Sequence, residues 1–105
     1  MKEVGILAAA LLVSAVGPVQ ADAAAGKIKA RACAVCHGAL GLSTAPDTPS
    51  LAGQPERYLV DQLKAYRSGK RHHEVMSVMA RPLTDADIDD LSAWFASLVV
   101  EVKAP

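Results

Sequence analysis

The chain has 105 residues, 11 basic and 11 acidic side chains, 51% hydrophobic residues and only 4% aromatic ones. That length fits one domain, and a net charge of zero lacks the basic excess of a nucleic-acid footprint. The balance is uneven along the chain. Arg57, Lys64, Arg67, Lys70, Arg71 and Arg81 make a basic stretch interrupted by few acids, whereas Asp85, Asp87, Asp89 and Asp90 follow without a base.

At the N-terminus, Lys2 opens a short start, with Glu3 out of pattern beside it, and Val4 to Val16 is almost wholly apolar. Gly17-Pro18 breaks the run, and Val19-Gln20-Ala21 offers small residues for cleavage. Basic start, apolar centre and cut site are the order of a secretory signal. The run falls short of the roughly 20 apolar residues of a spanning helix. Residues 1–21 are therefore expected to be a cleaved leader and 22–105 a single exported domain, without stable membrane insertion after cleavage.

Ala23 to Ala34 is rich in helix formers and leads into Cys33-Ala34-Val35-Cys36-His37. Gly38 to Gly53, with Gly41, Pro46 and Pro49 between, predicts a long loop of the kind that usually carries function. A helix is expected from Pro55, with Tyr58, Leu59, Leu63 and Tyr66 on one stripe and Gly69 as its stop. After polar Lys70 to His73 comes a short apolar piece with Met76, Val78 and Met79, closed by Pro82. Thr84 and Asp87 predict a capping box for the last helix, whose face is Ile88, Leu91, Trp94, Phe95 and Leu98. No alternating apolar run of strand length appears, so the expected class is all-α.

Such a small domain, with Tyr58, Tyr66, Trp94 and Phe95 as its only aromatic side chains, needs a staple. The two cysteines are three apart; a disulfide there would close almost no loop and constrain the unfolded chain little. Cys33-x-x-Cys36-His37 suggests another staple, because this pentapeptide is the attachment signature of a c-type haem. Two thiols on one helical turn reach two vinyl groups, and the following histidine is aimed at the iron. Export agrees, since thioether attachment takes place outside the bacterial cytoplasm.

Two rival readings use the same cysteines. A thioredoxin-type dithiol needs a strand–helix setting that this pattern lacks. A zinc site would recruit Cys33, Cys36, His72 and His73, but adjacent histidines diverge on a helix and His37 is left unexplained. For the second axial position of a haem, Met76 and Met79 both offer a soft thioether that raises the potential when paired with histidine. Either could equally fill core space, and His72 or His73 could compete.

The run CAVCHGALGLSTAPDTPSLAGQPERYLVDQL, with RHHEVMSVM, PLTD and AWF further on, resembles the class I c-type cytochromes. The likeness spans about residues 26–98 and is nearest to one half of the small bacterial two-haem periplasmic kind. It implies the cytochrome c fold, about four short helices around one covalent haem c. By this resemblance Cys33 and Cys36 hold the haem, His37 is the proximal ligand and Met76, six residues before Pro82, the distal one, with Met79 as alternative. Pro49 of the Pro-x-Leu-x-Gly segment would accept the second ring N–H of His37. Gly26 and Trp94 resemble the family's helix-crossing pair, with tryptophan in place of the more usual tyrosine. One haem motif is present, unlike the two-haem members.

The function expected is one-electron transfer in the periplasm, in a respiratory chain, from a donor dehydrogenase or cytochrome complex to an acceptor oxidase or reductase. Two protein ligands on the iron leave no place for a substrate, so no catalysis is expected. The alternatives are an electron-transfer subunit of an enzyme complex, or a haem enzyme or gas sensor with a labile methionine. The basic residues from Arg57 to Arg71 fit either a docking face or a solvated helix surface.

Overall fold

In the computed structural model, which describes residues 1–14 and 20–105, five helices follow one another. They are α1 Ala23–Lys29, α2 Arg31–His37, α3 Glu56–Ser68, α4 Met76–Ala80 and α5 Asp85–Ser97. No strand occurs among the described residues, as the all-α expectation requires. The Gly17-Pro18 break and Val19 of the expected cut site lie outside the described residues. Residues 1–14 have no helix and are exposed, and no helix is long and apolar enough to cross a membrane among the described residues.

The stretch of helix formers that leads from Ala23 into the cysteine motif is two helices. At the buried Ala30 the carbonyl accepts both the Cys33 N–H at 2.9 Å and the Ala34 N–H at 3.1 Å. The shorter of these bonds tightens the chain to a three-residue step, and α2 follows from Arg31. This break accounts for the fifth helix.

Helix α1 begins where Asp22 accepts the N–H groups of Ala24 and Ala25 at 2.9 and 3.1 Å. It then crosses α5 at Gly26. A Cβ at Gly26 would run into the carbonyl of Asp90 and lie 2.9 Å from the Trp94 Cβ. Only glycine permits this approach. The backbone of Asp22 extends the contact by donating to Asp90 Oδ1 at 2.8 Å. Lys29 bridges Asp87 Oδ1 at 2.9 Å and Asp90 Oδ2 at 2.7 Å, so the acidic first half of α5 is matched by the end of α1.

Thr84 and Asp87 form the expected capping box in full. Helix α5 buries Ile88, Leu91 and Phe95; Ala30, Leu59, Leu91 and Phe95 form one core cluster, with Leu63 and Leu98 packed against it. Leu98 ends α5 in an extended conformation, contributing to the core without being helical. Arg67 ties α3 to the start of α5, donating to the Leu83 carbonyl at 3.0 Å and to Asp85 at 2.6 Å. Arg71 lies 4.7 Å from the Tyr66 ring centre and donates to Gln62 at 2.8 Å. Part of the basic stretch is thus committed within the domain.

Two outcomes follow from this crossing. Gly26→Ala gains about 1 kcal/mol of helix propensity, but the new methyl group meets rigid backbone. The expected net result is a loss of roughly 1–3 kcal/mol, read as a fall of about 4–8 °C in thermal midpoint per kcal/mol. An unchanged midpoint would contradict the tight crossing. The Thr84 backbone N–H, and then the Lys29 ammonium, hold the Asp87 carboxyl down from 3.8 to about 2. A depressed carboxylate stabilises the fold above its unfolded pKa, and that contribution is lost as pH falls through the folded value. Stability should therefore drop between about pH 3.8 and about pH 2, and acid titration of Asp87→Asn should show a shallower drop.

Candidate functional site

Helix α2 carries Cys33, Cys36 and His37 within a little more than one turn. Both thiols are free. Cys33 packs against the core cluster, and this burial pushes its thiol up from the usual value; Cys36 is exposed. His37, the last residue of α2, is 7% exposed. Its Nδ1 lies 2.7 Å from the carbonyl oxygen of Pro49. A carbonyl only accepts, so Nδ1 donates, and in the neutral ring the lone pair is then on Nε2. The ring has one nitrogen anchored and the other available to a metal, as the resemblance implies.

The loop after α2 places that carbonyl. Gly41, at φ 72°, turns its own carbonyl to the N–H groups of Leu51 and Ala52, at 2.7 and 3.1 Å. A Cβ at Gly41 would lie 2.8 Å from the Phe95 ring, so the left-handed backbone and the close aromatic both demand glycine. Ser50 Oγ accepts the Ser43 N–H at 2.9 Å, and Gln54 donates to the Ser50 carbonyl at 3.2 Å. The Gly53 N–H donates to the Phe95 carbonyl at 2.9 Å. Pro49 is therefore held by bonds on the residues around it and by the end of α5. Pro49 was assigned its role by resemblance, whereas the bracing by Gly41, Ser50 and Gln54 had only the loop's density of glycine and serine as a signal in the sequence.

Met76 opens α4 and is half-buried, while Met79 on the next turn is 42% exposed. Ser77 and Ala80 are the buried side of this helix, which packs on α3. With a rotation of about 100° per residue, Met76 borders that buried side and Met79 lies further round. His72 is exposed, and His73 turns its ring towards the α4 backbone. Among the described residues no three His, Cys, Asp or Glu side chains converge as metal donors. His72 and His73 thus do not join Cys33 and Cys36 as a zinc site would require.

Comparison with known proteins agrees with this fold and motif. Residues 23–99 match the Cytochrome c family, and the chain belongs to that family. Cytochrome c4 of Pseudomonas aeruginosa is 48% identical over 81 residues, covering 77% of this chain and 40% of its own. The thiosulfate dehydrogenase electron acceptor of Thiomonas intermedia is 40% identical over 94 residues, covering 89% of this chain and 43% of its own. The crystal structure of reduced recombinant cytochrome c4 from Pseudomonas stutzeri superposes with a TM-score of 0.73 at 41% identity. That match covers 78% of this chain and 48% of the other. The chain spans less than half the length of each of these relatives. Its likeness to one half of such a protein agrees with the sequence reading.

The family's cofactor is covalently attached haem c. The donor set fits it: two free thiols and a histidine in one short helix, the histidine having Nε2 free of the Pro49 bond, and a thioether at the start of α4.

Proposed function

We propose that this domain is a periplasmic one-electron carrier, exported by the leader at residues 1–21, in which Cys33 and Cys36 hold haem c. His37 is its proximal ligand, and Met76 is the distal one. When bound, haem supplies an iron centre that cycles between Fe(III) and Fe(II). Cys33 and Cys36 would each hold the group through a thioether to one of its vinyl carbons. The His37–Pro49 bond carries the proposal. It holds the ring against rotation and, by drawing on the Nδ1 proton, makes Nε2 a better donor. Neutral methionine opposite favours ferrous iron and a raised potential. With His37 and Met76 both committed to the haem, the chain would leave no ligand position open to a substrate.

The electron donor and acceptor are redox proteins of the exported compartment. A dedicated role as acceptor to a dehydrogenase is a second reading. It is supported by the likeness to the thiosulfate dehydrogenase electron acceptor, which covers most of this chain. Reduction of the purified protein by such an enzyme, compared with a quinol-fed cytochrome complex, separates the two.

Acidified acetone should leave the colour on the polypeptide, and Cys33→Ala/Cys36→Ala together should release it; extraction of haem from the unaltered protein would end this proposal. Met76→Ala should abolish the near-infrared charge-transfer band of methionine-bound Fe(III) and lower the potential. Met79→Ala should keep the band and cost about 1 kcal/mol, because the side chain is 42% exposed and only its buried part contributes. The reverse pattern would transfer the ligand role to Met79.

A further inference from the structure

We infer that His73 is the positioning residue of the helix that carries the distal ligand, an inference that rests on the proposed role of Met76. Helix α4 has five residues, too few to stand on helix propensity alone, and its first N–H groups have no partner within the helix. Val75, immediately before it, gives no side-chain cap. The acceptor comes from two residues further back: His73 Nδ1 receives the Val75 N–H at 3.1 Å and the Met76 N–H at 3.2 Å. An N–H only donates, so Nδ1 bears the lone pair and the proton of the neutral ring is on Nε2.

The backbone of His73 completes the clamp. Its N–H donates to Ser77 Oγ and its carbonyl accepts the Ser77 N–H, each at 3.0 Å. Ser77 is 8% exposed, on the buried side of α4. The Met76 peptide is thus held on one side by the ring and on the other by a serine fixed in the packing. Its Cα is fixed before the thioether is placed, so the sulfur meets iron with few backbone states to lose. The arrangement also occupies Nδ1, withdrawing that nitrogen of His73 from competition for the iron. Ser, Thr, Asp and Asn are the usual residues for such a cap, and histidine fills the place here through its ring nitrogen.

The test uses the ferric holoprotein and free imidazole, which displaces a weak methionine ligand. His73→Ala should raise the imidazole association constant about fivefold, corresponding to the ~1 kcal/mol typical of a lost cap at about 1.4 kcal/mol per tenfold. His73→Asn, whose side-chain oxygen can accept the same N–H groups, should return the constant to within about twofold of the unaltered protein. An unchanged constant in His73→Ala, or an asparagine variant no better than alanine, would overturn the positioning role. Met76→Ala, measured alongside for its charge-transfer band, reports on the ligand itself. Loss of that band with a silent His73→Ala would sink the positioning role alone. Retention of the band in Met76→Ala would sink the ligand assignment beneath it.

Discussion

The crossing of α1 and α5 at Gly26 is the constraint from which the rest of this domain follows. Because Gly26 has no side chain, the α5 backbone at Asp90 can lie against α1, and Lys29 then reaches both Asp87 and Asp90. With α5 fixed, Phe95 presents its ring to Gly41 and its carbonyl to Gly53. Those two glycines flank the segment that carries Pro49. The Pro49 carbonyl in turn orients His37. A close approach of two helices thus fixes, by way of a loop, which ring nitrogen of His37 is bonded to the backbone and which is not. The ion pairs around Lys29 are partly exposed, so their contribution is modest; the backbone contact sets the geometry.

Two histidines of the domain are held in opposite tautomers by backbone groups. His37 gives its Nδ1 proton to a carbonyl, freeing Nε2 for coordination. His73 takes N–H groups at Nδ1 and serves the helix start. The partner available in the backbone decides the role in each case. An acceptor beside Nδ1 leaves the lone pair of the neutral ring on Nε2, and donors beside Nδ1 make the ring a cap. The proximal side of the proposed haem is therefore built by a loop braced on α5, and the distal side by a five-residue helix braced on α3. A carrier benefits from both, since ligands that stay in place between Fe(III) and Fe(II) keep reorganisation small.

Features that depend on local pattern were legible in the sequence. The Cys33-x-x-Cys36-His37 spacing, the Thr84–Asp87 box, and the stop at Gly69, which has φ 83°, each involve residues within a few positions. The role of Pro49 came through resemblance, because a proline in a glycine-rich loop reads by itself as a turn. The break at Ala30 was hidden, as alanine continues a helix by propensity. Arg67 read as part of a basic surface, since its partners Leu83 and Asp85 are remote in the chain. His73 read as a possible ligand, because capping by an imidazole leaves no compositional sign. The leader proposed for residues 1–21 rests on their order of charge and apolarity alone, and residues 15–19 lie outside the described residues.

In the proposed haem protein, His37 coordinates iron through Nε2 while its Nδ1–H donates to the Pro49 carbonyl. Nitrogen-15 magnetic resonance of the ferrous, histidine-labelled holoprotein tests it most directly. A slowly exchanging proton on Nδ1 of His37, close in space to the Pro49–Ser50 backbone, with no proton on Nε2, is the expected result. A proton found on Nε2, or an Nδ1 proton that exchanges with water as freely as that of an exposed ring, would contradict it.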